Sequence, residues 1–105
     1  MRTLKNLTLS AFALLALAPG ALFAQKEIVV WHAYRGDEKA AFEKVVANFN
    51  ASPAGKGLKV TTLAVPYDAM ADKITAAVPR GNGPDVFIFA QDRMGGWVEA
   101  GKTIE

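Results

Sequence analysis

Short β-branched apolar runs alternate along this chain with segments whose apolar residues recur every three or four positions. Ile28-Val29-Val30-Trp31 reads as a buried parallel strand, followed by a polar loop, His32 to Gly36. Asp37 then stands where an N-cap belongs. Phe42, Val45, Val46 and Phe49 form one apolar helical face, and Glu38, Lys39, Glu43 and Lys44 cover the other. Asn50-Ala51-Ser52-Pro53 ends that helix. A second strand is predicted over 58–63, with partial alternation, and a second helix over 68–78 with Met70 and Ile74 on one face. Pro79 to Pro84 carries two prolines, two glycines and an asparagine, so it is a loop. Asp85 to Ala90 reads as a third strand, with Asp85 fixing its entry. Gln91 to Arg93 reads as a loop, and Met94 to Ala100 as a short helix ending at Gly101.

The order β-α-β-α-β-α predicts an α/β fold with a parallel sheet and helices packed on its faces. Right-handed crossovers bring the carboxyl ends of the strands to one edge. Ligands of such sheets bind outside those ends, where strand order reverses. That rule selects the loops 32–37, 64–68 and 89–93.

The first 24 residues stand apart from this pattern. Arg2 and Lys5 precede an uncharged run from Leu7 to Ala18, Pro19-Gly20 breaks it, and Ala21-Leu22-Phe23-Ala24 offers small residues for cleavage. That is the layout of an export signal cut after Ala24, and the run falls short of the about 20 apolar residues a membrane span needs. Removing it changes the charge picture. Arg2 and Lys5 account for the whole net charge of +2, so the mature part is formally neutral. The basic pI is therefore no sign of nucleic-acid binding, and no basic stripe interleaved with aromatics is present. There is no cysteine, hence no disulfide and no thiol for a lipid anchor, which predicts a free protein in the periplasm.

Catalytic chemistry finds little support. His32 is the one histidine, and no zinc-ligand spacing exists around it. No G-x-S-x-G elbow occurs, and Gly81-Asn82-Gly83 precedes a strand rather than a helix, so it is not a phosphate loop. The residues predict a binding protein without a cofactor.

The segment Gly81-Asn82-Gly83-Pro84-Asp85-Val86-Phe87-Ile88-Phe89-Ala90-Gln91-Asp92-Arg93-Met94-Gly95-Gly96-Trp97 resembles GDGPDIIFWAHDRFGG of the maltose-binding proteins. Trp31-His32-Ala33-Tyr34-Arg35-Gly36 and Val46-Ala47-Asn48-Phe49-Asn50 resemble the wider family of extracytoplasmic solute-binding proteins. The resemblance implies a periplasmic-binding-protein fold (type II) of two α/β lobes joined by a hinge. It implies sugar bound between the lobes and delivery to the permease subunits of an ABC importer, with the receptor a monomer. It covers only the opening part of the first lobe, so 25–105 is expected to be an incomplete domain, a fragment or truncated frame.

The resemblance also implies site residues. The maltose-binding Asp-Arg pair that contacts sugar hydroxyls falls on Asp92 and Arg93, while the family's Trp is Phe89 here and its His is Gln91. The Asp-Lys loop of that family corresponds to a stretch one residue longer, Tyr34-Arg35-Gly36-Asp37-Glu38, and Tyr67 falls where related glycerol-phosphate receptors contact ligand. Tyr34 and Tyr67 each offer a flat apolar face with a hydroxyl, which suits a sugar ring. Alternatives stand beside these roles. Asp92 could instead be an exposed loop acid or an N-cap for 94–100, though ligand contact is the favoured reading because position and motif agree; Arg93 reads equally as half of a surface ion pair, and Asp37 reads first as a plain N-cap. Trp31 is expected in the core. Phe87 and Phe89 are expected on opposite sides of the sheet, with Phe89, nearer the cleft, the stacking candidate. The ligand is read as a maltodextrin-like oligosaccharide, with glycerol phosphate, another sugar, a polyamine or an iron complex as alternatives.

Overall fold

The computed structural model describes residues 25–100; the expected export signal over 1–24 and the expected helix end at Gly101 lie outside the described residues. Three parallel strands, β1 (Lys26–His32), β2 (Leu58–Ala64) and β3 (Val86–Ile88), lie in the order β2-β1-β3. Helix α1 (Gly36–Ala51) joins β1 to β2, α2 (Tyr67–Ala77) joins β2 to β3, and α3 (Met94–Ala100) follows. This is the α/β architecture that the alternating pattern predicts, and it matches part of a periplasmic-binding-protein lobe. No helix among the described residues is long and apolar enough to cross a membrane.

Because β2 and β3 flank β1, the two connections run in opposite directions and their helices cover opposite faces. Period-two alternation then divides β1. Val29 and Trp31 face α2 and α3, where Trp31, Val65, Met70, Ile74 and Trp97 form the buried cluster. Met70 and Ile74 are fully buried, and the Trp97 indole donates to Thr75 Oγ1 at 3.0 Å, pinning α3 to α2. Ile28, Val30 and His32 face the other way, toward α1. That side is less closed. Phe42, Val46 and Phe49 are only half-buried and Val45 is 62% exposed, leaving an apolar groove of about 410 Å³ against Ile28, Val30, Val60, Val86 and Ile88.

Two side chains complete the sheet at its margins. Asp85 donates its N–H to the Val29 carbonyl (2.9 Å), and its carboxylate accepts the Val29 N–H (2.8 Å). This carboxylate extends the β1–β3 ladder one residue ahead of Val86, so Asp85 fixes the strand entry as expected. On the opposite margin, the Asn50 amide donates to the Val60 carbonyl and accepts the Val60 N–H, both at 2.9 Å. The end of α1 thereby occupies backbone groups of the β2 edge that would otherwise be open to another strand.

Several local expectations are corrected. Asp37 is not the N-cap of α1: Arg35 holds that position, no side chain caps it, and Asp37 lies in the first turn. A carboxylate there still favours the helix dipole. Gly36, the residue after the cap, adopts φ +53°, a left-handed conformation that costs a glycine little. His32 is the last residue of β1 rather than the start of a loop, and β3 is shorter than the apolar run. Phe87 and Phe89 do not face opposite sides. Being two apart they share a face, and both pack on Trp97, with centroids at 5.5 and 6.3 Å.

The uneven closure of the two faces predicts the order of mutational cost. Ile74→Ala should cost about 2–5 kcal/mol by opening a cavity in the closed face. Asn50→Ala should cost about 1–3 kcal/mol, two side-chain hydrogen bonds of about 0.5–1.5 kcal/mol each. Val45→Ala should stay within about 0.5 kcal/mol despite lying on the apolar stripe. Urea unfolding of the three variants checks this, and a Val45→Ala cost equal to that of Ile74→Ala would contradict it.

Candidate functional site

Strand order reverses at β1, so the carboxyl ends of β1 and β3, with that of β2 alongside, define the edge where a ligand would lie. The segments 33–35, 65–66 and 89–93 leave the strands there, and every site residue named from the sequence lies on this edge or on the first turn of a helix that starts from it.

The candidates fall into two groups. The first surrounds the turn after β3. Gln91–Arg93 is a 3-10 turn rather than an open loop, leading directly into α3. Asp92 and Arg93 are exposed. Among the described residues neither joins a side-chain hydrogen bond or ion pair. Among the described residues Asp92 makes no capping bond and Arg93 no ion pair, and the exposure of Asp92 is also what a plain surface acid would show. Next to them runs a row of rings. Phe89 lies 4.9 Å from Tyr67 and 6.3 Å from Trp97 between centroids. Trp97 is buried, Phe89 half-buried and Tyr67 51% exposed, so the row leads from core to surface. Tyr67 is itself the first residue of α2, and Pro66 before it sets the entry of that helix.

The second group surrounds the end of β1. A cavity of about 510 Å³ is lined by Tyr34, Arg35, Gly36, Lys39, Ala64, Val65 and Pro66. Asp37 is exposed in the same first turn of α1. Lys39 pairs with Glu43 one turn on, at 3.0 Å, through side chains that are 43% and 47% exposed; such a pair holds weakly and leaves the ammonium free to turn elsewhere. The two groups meet at Pro66 and Tyr67, which are adjacent in the chain.

Beneath the second group lies His32, which the sequence reading left without a role. Its ring is fully buried. Phe42 packs on it edge-on at 4.9 Å and Tyr34 at 5.4 Å. Nδ1 accepts the Tyr34 N–H at 3.1 Å, and Nε2 has no hydrogen-bond partner among the described residues. The alternation Ile28, Val30, His32 carried the signal that this ring points inward. Burial lowers the His32 pKa from its usual 6.5; Glu43 opposes that shift and Lys39 adds to it.

Residues 33–105 match the family model of the bacterial extracellular solute-binding proteins. The chain belongs to that family, whose members are solute receptors of ABC transporters acting outside the cytoplasm.

A buried histidine with a lowered pKa makes stability depend on pH in a fixed direction. The unfolded chain takes up its proton near pH 6.5, whereas the folded chain takes it up only at lower pH. The contribution is present above about pH 6.5 and is lost as pH falls through the folded-state value. With one histidine in the sequence, a nuclear magnetic resonance titration of the imidazole reads this without overlap. The folded midpoint should lie below 6.5, with the urea midpoint declining over the same window. A folded midpoint at or above 6.5 would contradict the burial argument.

Proposed function

We propose that this chain carries one wall of the binding site of a periplasmic receptor for a maltodextrin-like oligosaccharide, which it hands to the permease of an ABC importer. Residues 25–105 form the opening part of the first lobe, and a second lobe closes over the sugar by hinge motion. The reading is one of binding without catalysis and without a cofactor, by a monomer.

The observation that carries it is the ring row beside the Gln91–Arg93 turn. The half-exposed Tyr67 ring, backed by Phe89, offers a flat apolar surface at the carboxyl edge. The C–H face of a sugar ring stacks on such a surface. Asp92 and Arg93 follow Phe89 in the chain by three and four residues and are exposed, and among the described residues their side chains engage no partner. A carboxylate can accept two hydroxyl donors and a guanidinium can donate to several oxygens, so the pair suits the alternating hydroxyls of a sugar. Tyr34 and Asp37 would reach the same solute from the end of β1.

A second reading has its own support. Arg35 and Lys39 border the cavity at the end of β1, and two cations there suit an anionic solute such as glycerol phosphate. Salt separates the two readings, since affinity for an anion falls with ionic strength and affinity for a neutral sugar does not.

Asp92→Ala in the full-length receptor tests the main reading. Losing a hydrogen bond to a charged group costs about 1.5–3 kcal/mol, so maltotriose affinity by calorimetry should fall at least tenfold. The melting temperature without sugar should hardly move, because Asp92 is exposed and bonds nothing in the described residues. Unchanged affinity would remove Asp92 from the site.

A further inference from the structure

We propose that His32 is a positioning residue of the solute site: its Nδ1 holds the Tyr34 amide while its carbonyl holds the Val65 amide, so that one residue sets both walls of the cavity at the end of β1. The proposal rests on reading that edge as the solute wall.

Packing alone does not explain a histidine here. The ring is buried between Phe42 and Tyr34, on the same side of β1 as Ile28 and Val30. A phenylalanine would fill that aromatic niche without polar atoms to bury. The imidazole instead leaves Nε2 without a partner among the described residues. Since Nδ1 is an acceptor, Nε2 carries the proton of the neutral ring, and a buried donor left unpaired is unfavourable. What a phenylalanine cannot supply is the acceptor for the Tyr34 N–H. That amide belongs to the short segment between β1 and α1, where neither a sheet partner nor a helical carbonyl is at hand.

The geometry of the cavity follows from that bond. Tyr34, held from below, directs Arg35 into its extended conformation (φ −134°, ψ 161°) and Gly36 into the left-handed one that opens α1. These three residues form one wall. The other wall is Ala64, Val65 and Pro66, and the Val65 N–H donates to the His32 carbonyl at 2.8 Å. His32 is thus bonded to a residue of each wall, one through its side chain and one through its backbone.

Protonation would reverse the first bond. A proton on Nδ1 makes it a donor facing a donor, and the segment that carries Tyr34 loses its anchor. The charged groups facing the ring are Glu43 and Lys39 of α1, which act in opposite senses, and Tyr34 lies against it from the connecting segment. Its strand neighbours, Ile88 on β3 and Ala64 on β2, carry no charge. Solute affinity should therefore fall as acid titrates His32.

The test uses the full-length receptor with maltotriose as probe, read by calorimetry from pH 7.5 to 5.0, together with Tyr34 amide exchange in the sugar-free protein. His32→Phe keeps the ring and removes the acceptor; His32→Asn keeps an acceptor near the Nδ1 position and does not titrate. For His32→Phe at pH 7.5 we expect affinity at least tenfold weaker and Tyr34 exchange at least tenfold faster. For His32→Asn both should stay within about threefold of the wild type, and the acid-side decline of wild-type affinity should vanish. Wild-type affinity in His32→Phe, unchanged Tyr34 exchange, or an acid-side decline that persists in His32→Asn would overturn the proposal. Should His32→Phe fail to fold, the pH profile of His32→Asn decides. If maltotriose binds none of the proteins, the oligosaccharide reading fails, and Tyr34 exchange across the variants decides the role of His32.

Discussion

The central position of β1 is the constraint on which the rest of this structure depends. It is paired along its whole length with β2 and over its last three residues with β3, and helices cover both of its faces. A strand so enclosed must be apolar on alternate sides, and each side performs a different task. Trp31 joins Met70, Ile74 and Trp97 in a well-closed cluster, and Lys73 lies over its ring at 4.8 Å to the centroid. His32, one residue on, faces α1 and closes the strand with a polar ring. Because β2 and β3 stand on either side, strand order reverses at β1, and the edge where it ends becomes the natural place for a ligand.

Order is unevenly distributed around that strand. The α2–α3 face is closed by interlocking aromatic and aliphatic side chains, and it carries the ring row out to Tyr67. The α1 face retains an open apolar groove whose lining has no polar residue. These two faces converge at the carboxyl edge, so the rigid side supports the Asp92–Arg93 turn and the more open side supports Tyr34 and the start of α1. Binding residues held on turns by a firm scaffold are the usual arrangement for recognition.

Much of this was legible in the residues. The β-branched run 28–31 and the spacing of Met70 and Ile74 each have a single strong physical reading, and the elements stand where those readings put them; the Pro-Gly-rich stretch before Asp85, read as a loop from Pro79, instead opens inside a 3-10 turn, Val78–Arg80. The carboxyl-edge rule brought Tyr34, Tyr67, Phe89, Asp92 and Arg93 to one side before any coordinates. What failed did so for local reasons. Asp37 looks like a cap because acids cap helices, yet the cap position falls two residues earlier, on Arg35, and Asp37 sits inside the first turn. Val45 fits the apolar stripe, but α1 leaves part of that stripe uncovered, which periodicity cannot disclose. Phe87 and Phe89 share a face by the same alternation that places Ile28 and Val30 together. His32 passed as a loop residue because a lone histidine is seldom read as the end of a buried strand. Membership of the solute-binding family rests on residues 33–105, while the sugar and its contacts are proposals drawn from the resemblance to maltose-binding proteins together with the carboxyl edge.

The central claim is that the carboxyl edge of this sheet is the face that meets the solute. Hydrogen–deuterium exchange of the full-length receptor, with and without saturating maltotriose, tests it most directly. The account predicts added protection in the segments 33–36, 64–68 and 89–93, with little change along Phe42 to Phe49 or in β2 away from its end. Protection confined to the α1 groove, or none within residues 25–100 while the sugar is bound, would contradict it.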